Sequence, residues 1–266
     1  MPLPTPARTV VPAAASSLTA GLLEAAPTAA TVLAAHRFGL YLAVGPAVLP
    51  VLTSDAVPLP TAVRLAGRAG SVDWSVAPGD RVEVGGGRVV LPSGELVVAR
   101  TWRPSRVRRR TASGRGGIHW QWGDDREWLA DGIRDAVCSA DPEPHVRALL
   151  GRGAGLTPSG DDALAGALLV GHGLGTVDRL AAAVRDRLGA TTAVSAALLD
   201  AAADGYAARP VVRLVDAAVA GNADAVSRAM PAVLAIGHTS GADLVTGIRA
   251  ALRARGLGAG SSRSAA

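Results

Sequence analysis

The sequence predicts an α+β protein, with an N-terminal antiparallel β-rich barrel or sandwich domain and a C-terminal all-α helical domain. Three observations carry this. Up to Trp102, short apolar segments are separated by glycine and proline turns. After an arginine-, serine- and glycine-rich stretch, the apolar residues recur at spacings of three and four. The strand–helix alternation that a doubly wound sheet requires is missing. The expected layout is a weakly structured N-terminal segment (1–28), the β-rich domain (29–103), a linker (104–117), the helical domain (118–256) and a flexible tail (257–266).

Thr31–Val44 reads as one long strand, or as two joined near Phe38 and Gly39. Ala47–Thr53 and Ala62–Ala66 follow, punctuated by prolines. Arg81–Val84, Arg88–Leu91 and Glu95–Trp102 are separated by Gly85-Gly-Gly87 and Pro92-Ser-Gly94, the pattern of a hairpin meander. In the helical half, Trp128, Leu129, Ile133, Ala136 and Val137 form the apolar stripe of a helix over Asp124–Cys138. Further helices are expected over Pro142–Leu150, Pro158–His172, Val177–Leu188, Thr191–Tyr206, Pro210–Ala220, Ala223–Leu234 and Ser240–Arg255. The short connections predict antiparallel neighbours.

Composition excludes several chemistries. Cys138 is the only cysteine among 266 residues, so neither an intramolecular disulfide nor a thiolate zinc site can form. All 27 basic residues are arginine, which removes Schiff-base, pyridoxal phosphate and P-loop lysine chemistry. No apolar run is long enough for a membrane helix, and Pro2–Ala35 lacks a leucine-rich signal core; a cytoplasmic protein without membrane attachment is expected. The net charge of +5 is modest. Its local excess, Arg106, Arg108, Arg109, Arg110 and Arg115, reads as a solvated linker rather than a nucleic-acid surface.

The stretch Gly151–Gly166 begins as a glycine-rich loop and ends as an apolar helix. Gly151, Gly153, Gly155 and Gly160 allow close approach to a ligand. Thr157 is a candidate N-cap, with Pro158 at the first helical position; Ser159 and Asp162 form an alternative capping box. The helix start presents N–H donors and a positive dipole end. Asp161 and Asp162 could take a proton or a hydrated Mg²⁺, although no metal site or cofactor is assigned. A cap needs one acid, so Asp162 is expected to cap and Asp161 to handle a proton.

Two other helix starts are similarly furnished. Gly189–Ser195 supplies Thr191, Thr192 and Ser195. Gly237–Asp243 supplies His238, Thr239, Ser240 and Gly241, with Ser240 and Asp243 at capping-box spacing. Each is also an ordinary capped helix start. If the three converge, they form an anion pocket of backbone donors and hydroxyls, with His238 as a further proton carrier. His172 falls on a core-facing stripe and His36 in a strand. His119, Trp120 and Trp122 read as an apolar plug. No metal-ligand spacing and no Ser/His/Asp set stands out.

Gly155-Leu-Thr-Pro-Ser-Gly-Asp-Asp162, Thr191-Thr-x-x-Ser195 and Gly237-His-Thr-Ser-Gly241, in that order and spacing, resemble the AllH-like (YlbF-like) family. That family's best-described member is a subunit of oxamate carbamoyltransferase. The resemblance is firm from about Leu149 to Leu252 and only general in layout for Thr31–Trp102. Ala163 departs from it, since a bulkier apolar residue, commonly phenylalanine, is expected at that packing position. The resemblance implies phosphorolytic carbamoyl transfer in purine-derived (allantoin) nitrogen catabolism: oxalurate and phosphate give oxamate and carbamoyl phosphate. It also implies a multi-subunit complex with partners resembling AllF and AllG, and small anionic substrates such as phosphate, carbamoyl phosphate or a small carboxylate. A non-catalytic anion-binding or scaffold subunit is the alternative.

Overall fold

The computed structural model describes residues 9–110 and 126–257. Arg115, His119, Trp120, Trp122 and the first residues of the Asp124–Cys138 stripe lie outside them. The chain divides into two compact units, 1–104 and 105–266. Among the described residues, no helix is long and apolar enough to cross a membrane.

The first unit is a closed eight-stranded barrel in the order β1-β5-β4-β3-β2-β6-β7-β8. The strands are β1 Thr9–Ser16, β2 Thr28–His36, β3 Gly39–Val44, β4 Ala47–Leu52, β5 Val63–Leu65, β6 Arg81–Gly85, β7 Arg88–Leu91 and β8 Gly94–Trp102, with the short helix α1 Ala20–Glu24 after β1. Period-two alternation decides which side chains point inward. Leu40, Leu42 and Val44 of β3, Val82 and Val84 of β6, and Val89 and Leu91 of β7 all enter the core. Trp74, from the long connection between β5 and β6, is buried with them.

The barrel corrects three expectations. The N-terminal segment is not weakly structured throughout: from Thr9 it forms β1, which closes the barrel by pairing with β5 and β8. Closure replaces the sandwich alternative. The sheet is not wholly antiparallel, because β1 runs parallel to β8 and β4 parallel to β5. Thr31–Val44 resolves into two strands joined by a turn at Arg37 and Phe38.

The second unit is helical: α2 Glu127–Cys138, α3 Glu143–Leu149, α4 Ser159–Leu174, α5 Asp178–Arg185, a 3₁₀ turn Leu188–Ala190, α6 Ala193–Ala203, α7 Arg209–Val219, α8 Ala223–Leu234 and α9 Ser240–Ala254. Helix α4 is buried on nearly every face and packs against α2, α3, α6, α7 and α9. Its closest neighbour is α9. A Cβ on Gly166 would stand 2.5 Å from the Leu244 carbonyl oxygen, and one on Gly247 would stand 2.0 Å from that of Ala163. Only glycine permits such backbone contact. Corresponding turns of α4 and α9 meet in order, so the two helices run in the same direction and bring both N-termini to one place. The antiparallel expectation concerned helices joined by short connections, and α4 and α9 are separated by four helices.

The linker expectation also changes. Residues 105–110 are anchored to the helical unit through their backbone, while the arginine side chains stay exposed. The Val107 N–H donates to the Gly205 carbonyl and the Arg110 N–H to that of Gly173. Val107 is buried, and the Arg106 guanidinium lies 5.0 Å from the Tyr206 ring centre. His172, expected in the core, is buried; desolvation lowers its pKa, reinforced by the positive charges of Arg106 and Arg109.

Candidate functional site

Three helix starts do converge, through side-chain contacts. The glycine loop before α4 is tied to the start of α6 in two places: the Thr191 hydroxyl donates to Asp161 Oδ2, and the Thr192 hydroxyl donates to the Leu156 carbonyl. It is tied to the start of α9 by Thr157 Oγ1 and Ser240 Oγ, 3.0 Å apart.

The two adjacent carboxylates have surroundings opposite to those expected. Asp161 is 1% exposed and fully engaged. Its Oδ1 accepts from the Gly151 N–H at 2.7 Å, and its Oδ2 accepts from Thr191. It therefore acts as a latch on the glycine loop. Asp162 forms no capping box: α4 has Pro158 at its N-cap and no side-chain cap, so Thr157 does not cap either. Asp162 is 7% exposed instead, among the hydroxyls of Ser240 and Thr157 and the carboxylates of Asp243 and Asp161. Burial pushes its carboxyl up to about 8, and the two neighbouring carboxylates push the same way, against the hydrogen bonds from Ser240 and Thr157. Asp162 Oδ2 is buried without a hydrogen-bond partner. At neutral pH Asp162 is mostly a neutral acid, able to donate a proton.

Asp243 is fully buried in the first turn of α9, where the helix dipole favours a negative charge. Arg126, just before α2, places its Nε 2.8 Å from Asp243 Oδ1. The pair matters to Asp162, whose proton affinity the Asp243 charge raises. Sequence reading had placed Asp243 only as a capping partner and passed over Arg126. The one available signal was the repeated Ser-x-x-Asp spacing at the starts of α4 and α9. It also passed over Arg152, exposed in the glycine loop with its guanidinium 4.1 Å from the Trp128 ring centre.

The remaining expected residues fall into two groups. Thr192 caps α6, accepting from the Ser195 N–H at 3.0 Å, and Ser195 is buried. Gly160 and Gly241 serve close packing, since a Cβ would stand 1.9 Å from the Leu149 carbonyl oxygen and 2.1 Å from that of Val233, respectively. The Gly160 N–H donates to the Arg152 carbonyl. Gly153 packs on the Ser159 N–H; Gly155 is exposed in the loop and Ser159 half-exposed at the first turn of α4. His238 and Thr239 are exposed. Among the described residues, no hydrogen bond or ion pair draws His238 toward Asp162. Much of the expected anion-binding equipment is therefore spent holding the junction together. No group of three or more His, Cys, Asp or Glu is placed to hold a metal ion among the described residues.

A cavity of about 350 Å³ lies elsewhere, toward the C-terminal ends of α4 and α9. The buried, charge-coupled carboxyl group marks the candidate site better than that cavity does.

Fold and site together define a two-unit α+β chain whose helical unit ties three helix starts together, two of them, those of α4 and α9, around the buried Asp162 carboxyl group. Residues 149–252 match the family model of oxamate carbamoyltransferase subunit AllH, and that segment is similar to the family. Asp161, Asp162, Thr191, Ser240 and Asp243 all lie within it. No solved structure matches the chain.

Proposed function

We propose that the chain serves as an AllH-like subunit of an oxamate carbamoyltransferase-type enzyme, with Asp162 as the residue that carries a proton at the reacting carbamoyl group. The observation that supports this best is the position of the neutral Asp162 acid inside the matched segment, where α4 and α9 begin together. In this reading, a phosphate oxygen attacks the carbamoyl carbon of oxalurate. The bond from that carbon to the oxamate nitrogen breaks, and the nitrogen leaves with a proton from Asp162. The proton of the attacking hydrogen phosphate restores Asp162, so the reaction balances without an added reductant or oxidant. A general acid with a pKa near the working pH suits this step. Asp161 acts indirectly, by holding the loop in place. The paired N-termini of α4 and α9, with Arg152 nearby, favour anionic substrates. Partner subunits resembling AllF and AllG complete the enzyme.

A second reading is a non-catalytic anion-binding scaffold. It is favoured by one observation: Thr191 and Thr192 spend their hydroxyls on the chain itself. Purifying the chain with its co-purifying partners and measuring carbamoyl phosphate formed from oxalurate and phosphate separates the two. Turnover that requires this chain and is lost on Asp162→Asn supports the catalytic reading. Turnover by the partners alone, with anion binding retained by this chain, supports the scaffold.

A further inference from the structure

The cavity at the far ends of α4 and α9 has the features of a second ligand site. Its volume of about 350 Å³ falls within the usual range for small-molecule pockets. Ala167 and Val170 of α4, Val177 and Leu180 around the start of α5, and Ala251 of α9 form an aliphatic wall. Arg179 and Arg255, both exposed, line it as well. Each guanidinium makes one backbone contact: Arg179 Nη1 donates to the Ala140 carbonyl at 3.2 Å, and Arg255 Nη2 donates to that of Val137 at 3.4 Å. A guanidinium has five N–H donors, so each retains several. Asp178 also lines the cavity, and the helix C-termini nearby contribute negative dipole ends; both oppose an anion. Against them stand two guanidinium groups whose remaining N–H donors can form direct charge-assisted hydrogen bonds to a carboxylate.

We propose that this cavity binds a small monoanion with an aliphatic body, its carboxylate held by Arg179 and Arg255 and its chain against the wall formed by Ala167, Val170 and Ala251. The site is independent of the carbamoyl-transfer reading. It stands toward the opposite end of α4, which carries Asp162, and of α9 packed beside it, so its occupant braces the same helix pair.

Octanoate and its uncharged counterpart 1-octanol are suitable probes for calorimetric titration into the full-length protein. Octanoate should bind saturably at one site per chain. The double variant Arg179→Ala/Arg255→Ala removes exposed side chains and leaves the fold intact. It should weaken octanoate by about tenfold or more while leaving 1-octanol unchanged. Val170→Phe fills the cavity and should abolish both. Non-saturable octanoate binding, or binding of undiminished strength in the arginine double variant, overturns the proposal. Should Val170→Phe fail to fold, the arginine variant decides alone.

Discussion

Asp162→Asn should remove a large pH dependence from the stability of the chain. The folded-state carboxyl titrates at about 8 and an ordinary aspartate at 3.8. The folded protein therefore binds this proton more tightly than the unfolded chain does. Its contribution is fully present below the unfolded pKa and is lost as pH rises through the folded one, so stability falls with rising pH. At about 1.4 kcal/mol per pKa unit, the loss between pH 5 and pH 8 has a ceiling of roughly 4 kcal/mol; relaxation around the charged form brings the expected value to roughly 2 to 4. His36 and His172 have pKa values lowered by desolvation and act in the opposite direction. Their contributions rise with pH up to the ordinary histidine value and are flat above it, which leaves the range from about pH 6.5 to 8 to Asp162 among the described residues. Asparagine mimics the neutral acid and carries no proton to lose. Urea unfolding followed by circular dichroism at pH 5, 6, 7 and 8 should show the unaltered protein losing stability relative to Asp162→Asn as pH rises. Parallel curves for the two proteins would refute the buried-acid reasoning.

Three further outcomes follow from the junction and its packing. Asp161→Ala strands the Gly151 N–H and the Thr191 hydroxyl, and should cost about 2 to 3 kcal/mol in urea unfolding, with faster amide hydrogen exchange at Gly151. Gly247→Ala would force a Cβ to within 2.0 Å of the Ala163 carbonyl oxygen and should cost about 3 kcal/mol or prevent folding, whereas Gly189→Ala, with nothing within 4 Å, should change the melting point little. Thr192→Ala removes the α6 cap and the bond to the Leu156 carbonyl, and should cost about 0.5 to 2 kcal/mol.

The helices were legible because tertiary packing acts on a 3.6-residue period that the chain carries openly, as in the stripe Leu129, Ile133 and Ala136. Strand β1 was not. Its inward positions include Ala13 and Ala15, which bury little surface, and Pro12 argues locally against a strand. The parallel pairing of β1 with β8 joins residues more than eighty positions apart, and no turn signal announces it. At the site, the sequence singled out Asp161 and Asp162 as a pair but not how their surroundings divide. That division depends on distant partners: Thr191 for Asp161, and Ser240 and Asp243 for Asp162. A capping box is a local pattern. The parallel approach of α4 and α9, enforced at Gly166 and Gly247, buried Asp162 against α9 instead. Arg126 carried no signal, because its role exists only once Asp243 is buried.

In the proposed reaction Asp162, not Asp161, supplies the proton for carbamoyl transfer. The most direct test of this is the rate at which the complete enzyme, assembled with its partner subunits, forms carbamoyl phosphate from oxalurate and phosphate, comparing the unaltered chain with Asp162→Asn at a pH where both are folded. The expected result is a fall in kcat of roughly 10²- to 10⁴-fold for Asp162→Asn, with native circular dichroism and intact assembly. Turnover by Asp162→Asn as fast as that of the unaltered chain would contradict it.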